Sequence, residues 1–303
     1  MSDPTFHVVE LSFSVVDVFA VRRYAGNQLA VFTDANLISA SEMQAIANEI
    51  HFSETTFVTS REPRLGGYDV RIFTPNEEVP FAGHPVLGTA FIIQQELIGE
   101  PVERVMLNLK VGQVPVDITY RRDIPDLLWM QPKPAEFGRV LDPGMVAGGL
   151  NLRSGDIHGG FPIQEVTTGL PTLIVPLRTL EALRRVRISR TVMDEMMHDI
   201  DARCILCFTT ETYSKENDVN VRVFADRLGI PEDPATGSGN GCLAAYLSRY
   251  KVLGKEDIDI RIEQGFEIGR PSLILLKAWT KEGGAIDVRV GGKVQLVARG
   301  QLV

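Results

Sequence analysis

The chain has 303 residues, 44% of them apolar, and a net charge of −8. That length and composition suit two ordinary domains with real cores and exclude collagen, coiled coil and a disordered chain. The acid excess speaks against a nucleic-acid-binding surface, which needs clustered Lys and Arg. Residues 1–7 carry no Lys or Arg, and the apolar stretch after them is broken by Glu10 and Asp17. No run approaches the roughly 20 apolar residues that span a bilayer. The expectation is a cytoplasmic protein with no membrane contact.

Residues 8–20, rich in Val and Phe, predict a strand, and the Gly26-Asn27 turn returns the chain as a second strand over 28–32. Ser39 with Glu42 reads as a capping box opening a helix over 40–50. Strands are expected at 55–59 and 68–73, and His84-Pro85 opens an apolar helix reaching about Leu97. Further strands are expected at 102–109, 113–119 and 127–131, with the RRDIP segment at 121–125 as a domain link. A short helix near 142–150 precedes strands at 163–168 and 171–176 and a polar, basic helical stretch over 178–199. Strands at 203–209 and 219–224 lead into a second apolar helix, 239–250. The tail over 257–299 reads as strands broken at Gly265, Gly283-Gly284 and Gly291-Gly292. Strand–helix–strand alternation is sparse, so the sheet is expected to be mixed and mostly antiparallel.

Two echoes in the same order point to an internal duplication. Arg71-Ile72-Phe73 is followed after five residues by Val79-Pro80, and Arg222-Val223-Phe224 after five residues by Ile230-Pro231. Each runs on into a small-residue stretch and an apolar helix. Ala25-Gly26-Asn27 before LAVF resembles Thr168-Gly169-Leu170 before TLIV. Two equivalent helix starts facing each other would form a pocket between the halves, with free N–H groups suited to a carboxylate or enolate.

Several residues could carry chemistry there. Glu54 stands at a strand entrance, either as a general base facing a cleft or as a solvated edge residue. His84, at a helix start, is either a neutral hydrogen-bond donor or a cap. Asp233 could orient a substrate amine or hydroxyl, or make an Asx-turn before Pro234. Ser238 could touch substrate or cap the second helix. Cys204 and Cys207 form one CxxC with no second pair and no His at zinc spacing, so they read as small core residues on opposite faces of a strand. There is no GxSxG, no GxxxxGK[ST] and no HExxH, and GSGNG at 237–241 lacks the dinucleotide spacing.

Four segments together carry a resemblance: DVFAVRRYAGNQLAVF (17–32), NEIHFSETTFV (48–58), RIFTPNEEVPFAGHPVLGTA (71–90) and EDPATGSGNGCLAAYL (232–247). In order and spacing the sequence resembles the PhzF family of the diaminopimelate-epimerase-like fold. The resemblance implies an α+β protein of two pseudo-symmetric halves, each a mostly antiparallel curled sheet around a central helix. The halves are expected at 1–125 and 126–303, with the last strand, after about 290, returning to the first. The resemblance also implies a homodimer, no metal or organic cofactor, and a small carboxylate-bearing substrate. By the resemblance, Glu54 is the catalytic group, and Gly83, His84, Asp233, Gly237 and Ser238 bind substrate. The implied reaction moves a proton between carbons, as in the isomerisation of trans-2,3-dihydro-3-hydroxyanthranilate. Epimerases of the fold use two facing cysteines, and the first half here has none. The rival readings are an amino-acid racemase on the same scaffold and a non-catalytic metabolite-binding protein.

Overall fold

β-branched and aromatic residues open the chain as a hairpin. β1 (Leu11–Val18) and β2 (Asn27–Phe32) pair antiparallel, with Phe13 opposite Phe32 and Val18 opposite Asn27. The computed structural model of the chain describes residues 10–189, 191–192, 198 and 200–303. α1 (Ala40–Ile50) has the full capping box: Glu42 N donates to Ser39 Oγ at 3.3 Å and Ser39 N to Glu42 Oε2 at 2.7 Å. The helix carries the chain back, so β3 (Glu54–Val58) lies parallel to β2. β4 (Tyr68–Phe73) pairs antiparallel with β3, and the short β5 (Glu78–Val79) folds back on β4. α2 (Gly83–Ile92) follows, prolonged by a π-helical turn over Ile93–Ile98. Every residue of α2 is buried, as expected of a helix that is apolar all round. β6 (Arg104–Leu109), β7 (Gly112–Arg121) and β8 (Ile124–Met130) complete the sheet as a meander, with β6 parallel to β4.

The second half repeats the plan. After β9 (Glu136–Leu141) and α3 (Pro143–Gly149) come β10 (Ile163–Thr167), β11 (Thr172–Pro176), α4 (Leu180–Arg185) and β12 (Cys204–Thr209). β12 runs parallel to β11, as β3 does to β2. β13 (Val219–Ala225), β14 (Ile230–Asp233) and the buried helix α5 (Gly237–Arg249) match β4, β5 and α2. β15 (Ile258–Gln264), parallel to β13, leads into β16 (Ser272–Thr280) and β17 (Ile286–Gly292). The sequence echo has a physical basis. Arg71 grips Glu78 through Nε (2.8 Å) and Nη2 (2.7 Å) and lies 5.1 Å from the Phe73 ring. Arg222 grips Glu232 at 2.8 and 2.7 Å and lies 4.9 Å from the Phe224 ring.

The halves exchange their closing strands. β9 follows the first meander but pairs with β10, and β18 (Val294–Leu302) follows the second but pairs with β1 along its whole length. β8 and β17 also pair, Met130 opposite Val290 and Leu128 opposite Gly292. The segment 121–125 is a tight hairpin turn rather than a domain link. Tyr120 pairs with Pro125 and Arg121 with Ile124, and Arg122 and Asp123 take left-handed φ of 53° and 62°, the twist a two-residue hairpin favours. β8 therefore stays on β7 beyond residue 125. The strand break expected at Gly291-Gly292 is present: the pair closes β17 and Lys293 separates it from β18, and a Cβ on Gly291 would stand 2.4 Å from the Trp129 ring. The expected helical stretch over 178–199 is α4 in its first part; residues 190, 193–197 and 199 lie outside the described residues.

The two central helices meet at their first residues. A Cβ on Gly83 would lie 2.5 Å from the Ser238 amide nitrogen and 2.7 Å from the Gly237 Cα, and one on Gly237 would lie 3.1 Å from the Gly83 Cα. Backbone cannot yield as a flexible side chain can. Gly83→Ala should therefore cost about 1–3 kcal/mol of stability, the range for overpacking a tight site. Gly148→Ala, in α3 with open space around it, should cost nothing. Urea unfolding midpoints of the two variants check this.

Candidate active site

The fold brings all six sequence-nominated residues to one cavity of about 270 Å³ between the halves. Glu54 is the first residue of β3, Asp233 the last of β14; Gly83 and His84 open α2, and Gly237 and Ser238 open α5. Neither helix has a side-chain cap: Ala82 and Thr236 occupy the N-cap positions, and neither side chain accepts a bond from the first turn. The N–H groups there are thus available to an anion, and the two helix dipoles converge on it.

Glu54 is buried, and its Oε2 has no hydrogen-bond partner among the described residues. Burial raises its pKa well above the ordinary carboxylate value, and the nearby Asp233 carboxylate adds to the rise. His84 Nε2 lies 3.4 Å from Glu54 Oε2 and is likewise without a hydrogen bond. Burial pushes the imidazole down to about 3, so it is neutral at physiological pH and the contact is not an ion pair.

Asp233 is buried but well satisfied. Its Oδ1 accepts from Asn27 Nδ2 (2.8 Å) and Ser53 Oγ (3.3 Å), and its Oδ2 from Thr236 Oγ1 (2.5 Å). Burial raises its pKa, while those three donors pull it back. Of the two arrangements open from sequence, the Asx-turn does not form: the bonds to the carboxylate come from these three side chains and none from the backbone that follows.

Four contributors escaped the sequence reading. Asn27, nominated only as a turn, is buried and crosses between the halves: its Nδ2 also reaches Ala235 O (3.0 Å) and lies 3.1 Å from His84 Nδ1. Ser53 and Thr236 hold Asp233. Gln264 ties the loop before α5, donating to Asp233 O (2.7 Å) and Thr236 Oγ1 (3.0 Å) and accepting from Thr236 N (3.1 Å) and Asn240 Nδ2 (2.9 Å). Asn27 and Thr236 sit inside the AGNQ and DPATGS blocks and could have been found there. Gln264, 28 residues beyond Thr236, left no local signal.

Cys204 also lines the cavity, while Cys207, three residues on, packs into the opposite layer. The duplication gives Cys204 a particular meaning. Thr55 pairs with Phe73 and Ile205 with Phe224, the equivalent residues of the two Arg-x-Phe motifs. Glu54 and Cys204, each preceding those residues and each first in its strand, are therefore counterparts. Burial raises the Cys204 thiol well above its ordinary value, with the Asp233 and Glu54 carboxylates among the further causes, so it stays protonated.

Two like halves, each a curled sheet around a buried helix, closing on a shared polar cavity define an α+β enzyme of the diaminopimelate-epimerase-like fold. The chain belongs to the phenazine biosynthesis-like protein family, whose model matches residues 16–300, and it is an isomerase. It is 33% identical over 297 residues to the trans-2,3-dihydro-3-hydroxyanthranilate isomerase of Pseudomonas chlororaphis, covering 96% of this chain and 99% of the relative. The crystal structure of the Bacillus anthracis phenazine biosynthesis protein of the PhzF family superposes with a TM-score of 0.89 at 24% identity, covering 97% of this chain and 99% of that one. A hydroxyproline epimerase from Agrobacterium vitis shares the fold alone, with a TM-score of 0.67 at 10% identity over 97% of this chain and 91% of that one.

The raised Glu54 pKa has a consequence for stability. Between its ordinary value of 4.5 and its raised folded value, the folded state holds a proton that the unfolded state has lost, so wild-type stability falls as pH rises through that window. Glu54→Gln removes this loss. The variant should melt several degrees above wild type near pH 8.5 and coincide with it near pH 4, in thermal melts at matched ionic strength.

Proposed function

We propose that the chain moves a proton between carbons of a small carboxylate-bearing substrate, with Glu54 as the group that takes the proton and returns it. The observation that carries this is the buried Glu54 carboxylate. Its Oε2 has no hydrogen bond among the described residues, its pKa is raised and it faces an open cavity, while another carboxylate of the same cavity, Asp233, is held by three side-chain donors. A carboxylate poised nearer neutrality loses less when it abstracts a weakly acidic proton.

The remaining residues divide the work. The first-turn amides of α2 and α5, at Gly83, Gly237 and Ser238, hold the substrate carboxylate or the enolate that forms as the proton leaves. Neutral His84 hydrogen-bonds a substrate polar group beside Glu54 and helps hold the transferring proton near it. Asp233, fixed by Asn27, Ser53 and Thr236, orients an amine or hydroxyl. Closure of the halves keeps water from a carbanion-like intermediate. None of these steps calls on a cofactor. The counterpart of Glu54 being a protonated thiol favours one-base chemistry on one face over the two-base exchange of a racemase. A cytoplasmic homodimer completes the proposal. In keeping with it, no helix among the described residues is long and apolar enough to cross a membrane.

The test uses trans-2,3-dihydro-3-hydroxyanthranilate first, the substrate named for the Pseudomonas chlororaphis relative, then a panel of small unsaturated acids, each in D2O. Wild type should place deuterium on carbon, and Glu54→Gln should slow this about 10²–10⁴-fold, the usual worth of a general base. The acid limb of kcat/KM should have its midpoint above 4.5, because the base works ionised and its pKa is raised. Undiminished exchange in Glu54→Gln would remove Glu54 from this role.

A further inference from the structure

The cavity carries more negative than positive charge, and this bears on which acids it accepts. Four carboxylates line it: Glu54, Glu77, Glu78 and Asp233. Glu78 is neutralised by Arg71 at 2.7 Å and Lys110 at 2.8 Å, and Asp233 has its three donors. His84 is uncharged. Among the described lining residues Arg203 is the one Lys or Arg.

Arg203 is held loosely. Its backbone is pinned beside β12 by a bond from Arg203 N to Pro171 O at 2.8 Å. Its guanidinium makes a single long contact, Nη2 to Glu77 Oε1 at 3.3 Å, with the two side chains 43% and 56% exposed. Exposed ion pairs of this kind contribute little and exchange readily. The Nε is shut away from water and has no acceptor, so the resting arrangement leaves a donor unsatisfied. The pair also crosses between the halves, from the β4–β5 turn to the start of β12, and so stands at the cavity wall opposite neither half alone.

We propose that Arg203 is a specificity-determining residue that leaves Glu77 to hold a second anionic group of the substrate, so that the site selects small dicarboxylic acids over monocarboxylic ones. This deepens the preceding reading and rests on it for the first carboxylate, which occupies the uncapped helix starts. A guanidinium meets a carboxylate through two parallel N–H bonds, a fork that its single long contact to Glu77 leaves unused. Glu77 is then a competitor for Arg203, keeping the rim paired while the cavity is empty.

The competition gives the test opposite signs at two neighbouring positions. Dissociation constants are measured by calorimetry for isophthalate against benzoate and glutarate against butyrate. Wild type should bind each dicarboxylate at least tenfold more tightly than its partner. Arg203→Gln should abolish that preference while leaving the monocarboxylates within about twofold, Arg203→Lys should restore part of it, and Glu77→Gln should sharpen it by freeing the guanidinium. A merely structural Arg203–Glu77 bridge would make both Gln variants weaker binders. Equal affinities within each pair, no binding of any of the four, or a preference that survives Arg203→Gln overturns the proposal. Deuterium exchange in Glu54→Gln is read separately, so a failed base assignment is distinguishable from a failed dicarboxylate site.

Discussion

The contact between Gly83 and Gly237 constrains everything around it. Two helix starts brought backbone to backbone cannot carry side chains at that point, and neither can be capped in the ordinary way without filling the space between them. Uncapped N–H groups in a buried place are costly unless something accepts from them. The fold accepts that cost at two sites at once and directs both at one cavity. The apolar burial of α2 and α5 offsets it: Val86, Leu87, Ile92, Leu243 and Leu247 are each fully covered, worth about 1.5–3 kcal/mol apiece. A close-packed polar junction is thus carried between two buried helices.

Around that junction the chain ties the halves together with buried polar groups. Asn27 spans from β2 to Asp233 and Ala235. The turn that presents Asn27 is itself held from the second half. Arg270 donates to Gly26 O at 3.0 Å and Ala25 O at 2.9 Å and pairs with buried Asp17 at 2.6 Å. Gly26, at φ 70°, has Val18 O where a Cβ would go, so no other residue fits this tight return. The result is an unequal treatment of two carboxylates in one cavity. Burial raises both carboxyls, but the three donors to Asp233 oppose the rise there, whereas Glu54 has no such donor among the described residues and feels Asp233 as a like charge.

What could be read from the sequence was what is encoded locally. The capping box at Ser39, the β-branched runs and the two buried helices each have a composition or a boundary residue that suffices alone. The Arg-x-Phe repeat was legible because both copies need the same ion pair and ring contact. Three features were not legible, each for a non-local reason. β9 has mostly exposed side chains and becomes a strand through its pairing with β10 across 22 or more residues. The strands exchanged at β9 and β18 leave no mark in either half's pattern, and the return of β18 to the first half was expected only from the family resemblance. Gln264 acts on a loop that only the closed sheet brings near it. The turn at Arg122-Asp123 misled because it lacks the glycine that its left-handed conformation favours.

The duplication also shows where symmetry was given up. The frame offers two equivalent posts at the strand entrances facing the cavity, and the chain fills one with Glu54 and the other with Cys204. A thiol there, already raised by burial, would have to ionise beside two carboxylates, and each adds to the penalty. Proton exchange from both faces of a bound carbon needs a competent group on each side, and the thiol at the second post is held protonated. The asymmetry does not come from the sheets, which superimpose in plan strand for strand, but from a single position in each. On the proposed reading, the chemistry of this chain turns less on its fold than on which of the two equivalent strand entrances carries the carboxylate.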